Sequence, residues 1–92
     1  MRSYASNQDF YNHIDEVVVE LRSTGLEPNA RKIHFILHET VWTTTSELFG
    51  ELREEFDTLL ATPQQLPLSL REVLEHLIST IDTSFNRANG RA

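Results

Sequence analysis

Apolar residues return at spacings of three and four through four separate stretches of this chain, a period that helices use and strands do not. The first stripe is Phe10, Ile14, Val17, Val18 and Leu21. The second is Ala30, Ile33, Ile36 and Leu37, with Phe35 to one side. The third runs through Leu48, Phe49, Leu52, Phe56, Leu59 and Leu60. The fourth comprises Leu70, Val73, Leu74, Leu77, Ile78, Ile81, Phe85 and Ala88. Glycine and proline number three each, and Gly25, Pro28, Pro63, Pro67 and Gly90 fall between the stripes or at their ends. The pattern predicts an all-α chain of four helices.

Helix signals refine the boundaries. Ser6 followed by Asp9 reads as a capping box, with Arg22 suiting the dipole at the far end and Gly25 supplying a left-handed stop. Pro28 disfavours helix at Glu27, so Asn29 is the expected cap of the second helix, which runs to about Leu37. His38 to Thr43 breaks the period. Thr44 with Glu47, and Ser69 with Glu72, then read as capping boxes for the third and fourth helices. The third helix is expected over about Thr44 to Leu60. A link, Thr62-Pro63-Gln64-Gln65-Leu66-Pro67, separates it from the fourth, which Asn89-Gly90 ends. In the fourth stripe Leu70, Leu74, Leu77, Ile81 and Ala88 fall at mixed spacings of three, four and seven, as in a coiled-coil seam.

At 92 residues this is expected to be one small domain, with a core thin enough that a second copy is a reasonable partner. There is no cysteine, which removes disulfides and thiolate chemistry and fits a reducing compartment. No apolar run reaches the length of a membrane span, and MRSYASNQDFYNHIDE has no apolar core of a secretion signal. A cytoplasmic protein is the expectation. No glycine-rich phosphate loop, nucleophile elbow or convincing carboxylate pair is present, so no enzyme, cofactor or small-molecule substrate is expected.

Short helices joined by tight links are what a helix-turn-helix unit requires. The run Val17-x-x-x-Leu21-x-x-x-Gly25-x-x-Pro28-Asn29-x-Arg31-x-Ile33-x-x-x-Leu37 resembles the N-terminal domain of KfrA-type plasmid DNA-binding proteins. Thr43-Thr44-Thr45-Ser46 before Leu48 to Phe56, then Leu66-Pro67-x-x-Leu70 and Phe85-x-x-Ala88-x-x-x-Ala92, extend the likeness over most of residues 10–92. The resemblance implies a bacterial, plasmid-type transcriptional regulator that binds double-stranded DNA as a homodimer or higher oligomer, with a coiled coil after this domain. Its expected layout is a single helical domain over 1–92. A helix-turn-helix-like unit would span about 7–61 and a C-terminal dimer element 67–89.

The charges run against that layout. The chain carries a net −6, which disfavours non-specific attraction to nucleic acid. Between residues 44 and 60 one cation, Arg53, stands among Glu47, Glu51, Glu54, Glu55 and Asp57, and the outward positions of the third helix are Glu47, Gly50, Glu51 and Glu54. Phosphate contacts are therefore expected from Arg31 and Lys32, from the hydroxyls of Thr43, Thr44, Thr45 and Ser46, and from the amides opening the third helix. Arg2, His34, His38 and Arg71 are candidates to assist. Glu47 and Glu51 face the groove, where a carboxylate can accept only from cytosine N4. The alternative is a protein-interaction or oligomerisation module without DNA contact, whose acidic third helix docks on a basic protein or mimics DNA.

Two further features have plain explanations. His34 and His38, four apart, make a two-ligand metal edge that His13 or His76 would have to complete. The helix dipole alone accounts for two exposed histidines near a helix C-terminus, and no metal is expected. The fourth stripe, through Leu70, Leu74, Leu77, Ile81, Phe85 and Ala88, is expected to serve both as core and as dimer seam, while Trp42 is expected to pack the turn between the second and third helices.

Overall fold

A computed structural model describes residues 3–61 and 66–88; side chains are described as far as residue 84. The chain is all-α. Its elements are α1 (Asn7–Ser23), α2 (Glu27–His34), a π turn (Phe35–Glu39), α3 (Thr45–Ala61) and α4 (Leu68–Ala88). They fall into two compact units, Met1–Thr40 and Val41–Ala92. Among the described residues no helix is long and apolar enough to cross a membrane. Thr62 to Gln65 of the expected link, the stop at Asn89-Gly90, and Arg2 and Ala92 lie outside the described residues.

In the first unit α1 packs against α2. Phe10, Ile14, Val17, Val18 and Leu21 are all buried, the whole stripe that the period marks. The Ser6 hydroxyl accepts from the Asp9 amide at 3.2 Å, and the Asp9 carboxylate accepts from the Ala5 amide at 3.0 Å. Tyr4 lies over this start, its ring edge-on to Phe10 at 5.1 Å and its hydroxyl sharing a 2.7 Å hydrogen bond with His13 Nδ1.

The exit from α1 is a Schellman turn. The Leu26 amide donates to the Leu21 carbonyl at 2.9 Å and the Gly25 amide to Arg22 at 3.1 Å. Gly25 holds φ at +92°, where only glycine sits without strain. Leu21 and Leu26, which this turn brings together, are both buried. The chain enters α2 directly, with its cap three residues before the one expected at Asn29. Leu26 is the cap, and Pro28 takes the first turn, where its missing N–H is no loss and its fixed φ suits a helix. The path also stays helical beyond Leu37. The π turn carries it to Glu39, and the Thr40 hydroxyl closes it by donating to the Phe35 carbonyl at 3.1 Å.

In the second unit α3 packs against α4. Leu48, Phe49, Leu52, Phe56 and Leu59 of α3 are buried, and so are Leu70, Leu74, Leu77 and Ile81 of α4. Glu55 is buried too, although its position in the sequence groups it with the exposed acids. The Thr44 cap forms as expected, with its hydroxyl accepting from the Glu47 amide at 3.2 Å. The cap expected at Ser69 does not: α4 begins at Leu68, the Pro67 carbonyl accepts from the Arg71 amide at 2.9 Å, and Ser69 lies inside the first turn.

Candidate functional site

The residues singled out for DNA contact divide between the two units. Arg31 and Lys32 belong to the first, on the exposed side of α2, while Ile33 beside them is fully buried. The helix period thus fixes their outward direction. The Arg31 side chain keeps 74% of its surface exposed, and its Nη2 lies 3.4 Å from Glu27 Oε2. Glu27 also takes Arg22 Nε at 3.3 Å, so one carboxylate stands between two guanidinium groups. These pairs are surface contacts of small energy.

Thr43, Thr44, Thr45, Ser46, Glu47 and Glu51 belong to the second unit and are all exposed. Here the capping geometry restricts what an anion can reach. Glu47 Oε1 accepts from the Thr43 amide at 3.1 Å and from the Thr44 amide at 3.4 Å, while the Glu47 amide is taken by Thr44 Oγ1. Of the donors that open α3, the amides of Thr45 and Ser46 remain for solvent or an anion. The Glu47 carboxylate beside them opposes a phosphate.

Farther along α3, Glu51, Glu54 and Asp57 are exposed. Arg53 does not offset them, because its guanidinium turns to Asp82 of α4, with Nε at 2.6 Å and Nη2 at 3.1 Å. The two-bond pairing pushes the Arg53 guanidinium up and holds the Asp82 carboxyl below its ordinary range. Arg71, expected to assist with DNA, directs Nη1 at the Leu60 carbonyl in the last turn of α3, at 3.5 Å.

The residues expected to form a dimer seam take their places inside the chain. Leu74, Leu77 and Ile81 have no exposed surface and Leu70 almost none, which is the core part of the double role expected of them. Phe85 and Ala88 lie on the last turns of α4, outside the described side chains. Trp42 is half-buried, next to Val41 with 97% of its surface exposed.

A third constellation involves a residue that the sequence does not single out. His38 Nε2 and Asp15 Oδ1 share a 2.7 Å hydrogen bond, and the His34 ring lies 4.8 Å from that of His38. One ligand atom from each of the three lies within 4.8 Å of the others. Neither His13 nor His76 is in this group, and the third member is a carboxylate from α1. The histidine pair is visible as a spacing of four. Asp15 could be found only from its side of α1, one residue after the buried Ile14. Among known proteins the chain matches no family model, no curated protein and no solved structure.

Proposed function

We propose that this chain is a DNA-binding module of a transcriptional regulator, the function that its resemblance to KfrA-type plasmid proteins implies. The observation that carries the reading is the α1–α2 link. A Schellman turn at Gly25 and a proline in the first turn of α2 join the helices through a tight corner, with Arg31 and Lys32 outward. Short, sharply joined helices with cations on the exposed side of the second suit a phosphate backbone. The Thr45 and Ser46 amides add a second, weaker point of contact. With a net charge of −6 and two cations in contact the affinity of a single chain is low. The homodimer that the family uses would raise it.

The test is an anisotropy titration of duplex DNA at several salt concentrations, comparing the chain with its Arg31→Ala/Lys32→Ala variant. The double variant weakens binding to all sequences alike and lowers the salt slope by up to about two charges. No binding by the unaltered chain at tens of micromolar and low salt would sink the proposal. An unchanged slope in the variant removes these two residues from it.

One observation favours a second reading, a protein-interaction module that meets a basic partner. On α3 the exposed residues Glu47, Glu51, Glu54 and Asp57 share a helix whose one arginine is held by Asp82. Such a face attracts a cationic surface and repels phosphate.

A further inference from the structure

We infer that Asp15, His34 and His38 form a binding site for one divalent transition-metal ion of the zinc type. The inference goes beyond the DNA reading and stands without it. Asp15 comes from α1, His34 is the last residue of α2, and His38 lies in the π turn that follows. Their ligand atoms all lie within 4.8 Å of one another.

The donor set is chemically specific. Two imidazoles and one carboxylate suit zinc or another first-row transition metal, whereas magnesium and calcium prefer oxygen ligands throughout. Around a tetrahedral zinc ion at about 2.0–2.1 Å, two ligand atoms stand roughly 3.3 Å apart. Asp15 and His38 are already closer than that, at 2.7 Å. Binding would replace their hydrogen bond with two metal bonds and draw His34 inward. The three side chains are about 40% exposed, so they have room to make that adjustment. Water would complete the coordination.

The helical path places His34 one turn before His38, so both imidazoles face the α1 side chain of Asp15. The His34 ring is 4.8 Å from that of His38, and the Glu39 carboxylate is 3.6 Å from His34 Nε2. At that distance the Glu39 carboxylate is a neighbour of the His34 ring and not its hydrogen-bond partner. The local backbone is a second, independent observation. The residues from Phe35 to Glu39 form a π turn, closed by the Thr40 hydroxyl. Such turns are rare and are frequent at functional sites, because the inserted residue re-aims the side chains that follow. His38 lies in this turn and meets Asp15. A bound ion would fasten α1 to the end of α2 within the first unit.

The experiment uses untagged chain, stripped with a chelator and titrated with Zn2+ by calorimetry and with Co2+ by visible absorption. The expected result is one ion per chain with micromolar affinity, cobalt bands of nitrogen–oxygen ligation, and a melting temperature that rises with Zn2+ but not with Mg2+. Asp15→Asn and His38→Gln each weaken binding tenfold or more, while His13→Gln/His76→Gln leaves it unchanged. Circular dichroism checks that each variant is folded. If His38→Gln does not fold, ring-proton shifts of His34 and His38 in the unaltered chain on adding Zn2+ decide the matter. No uptake at a tenfold excess of Zn2+, binding that survives His38→Gln, or shifts confined to other histidines overturns the site.

Discussion

Arg53 and Asp82 join α3 to α4 through two parallel hydrogen bonds, at 2.6 and 3.1 Å, one from each of two guanidinium nitrogens. This is the geometry in which arginine and carboxylate interact best. Hydrogen bonding from Arg53 lowers the pKa of Asp82, so folding favours the ionised carboxylate. The contribution to stability is therefore fully present above the unfolded carboxylate pKa of about 3.9 and is lost as the pH falls through the lower folded value. Asp82→Asn should lower the melting temperature at neutral pH, and the gap between variant and parent should close below about pH 4. Both groups are partly exposed, so the gap is small and shrinks in high salt. A gap that stays constant from pH 7 to pH 2 would mean that the pair contributes through shape alone.

The α1–α2 corner depends on one backbone angle. A Cβ on Gly25 would meet no atom within 4 Å, so there is no steric objection to a larger residue. The objection is the φ of +92°, which L-residues avoid. Gly25→Ala should cost about 1–2 kcal/mol, and Gly25→Asn less, because asparagine tolerates the left-handed region. Urea denaturation of the two variants checks the order. Equal stability for alanine and glycine would show that the corner relaxes into another conformation.

Periodicity made most of the core legible. The stripes of α1 and α3 read from spacing are buried nearly residue for residue, because an amphipathic helix has one face to bury and its period names that face. Glu55 is buried beside the α3 stripe, and as an acidic residue it carries no sequence signal for burial. The start of α2 escaped because Pro28 was weighed as an obstacle to the residue before it, when a proline in the first turn is a favourable start. The π turn left no trace, since inserting one residue in a helical path changes no residue type. Asp15 stands 19 positions before His34, and only the packing of α1 on α2 brings the two together. Arg31, Lys32 and Glu47, Glu51 and Glu54 of α3 are readable as exposed positions, whereas the capture of Arg53 by Asp82 and of two cap amides by Glu47 is not.

The burial of the α4 stripe changes what a disruptive substitution reports. Leu77 and Ile81 are fully buried in a single chain. Leu77→Ala should cost about 2–5 kcal/mol, a large share of the stability of a small protein. Replacing both Leu77 and Ile81 with aspartate should unfold the chain rather than yield a folded monomer, because two unpaired carboxylates cannot be buried. Circular dichroism with sedimentation velocity distinguishes the outcomes. A folded, monomeric double variant would show that these residues face a second chain and not the core.

Glu51 separates the two functional readings. It is exposed on α3, one turn beyond the Glu47 that caps the helix, and among the described contacts its replacement breaks none. Glu51→Gln should therefore move stability by less than about 0.5 kcal/mol. If α3 lies against DNA, removing this charge relieves repulsion from phosphates and strengthens non-specific binding. If α3 docks on a basic protein, the same change weakens the complex, mainly through a slower on-rate and a smaller response to salt. Anisotropy with duplex DNA and with a polycationic peptide, run side by side on parent and variant, gives opposite signs for the two readings. Glutamine is nearly the shape of glutamate, so a change in either direction reports charge. An affinity for both probes that does not move places Glu51 away from either partner, and the acidic face of α3 would then be no more than a solvated surface.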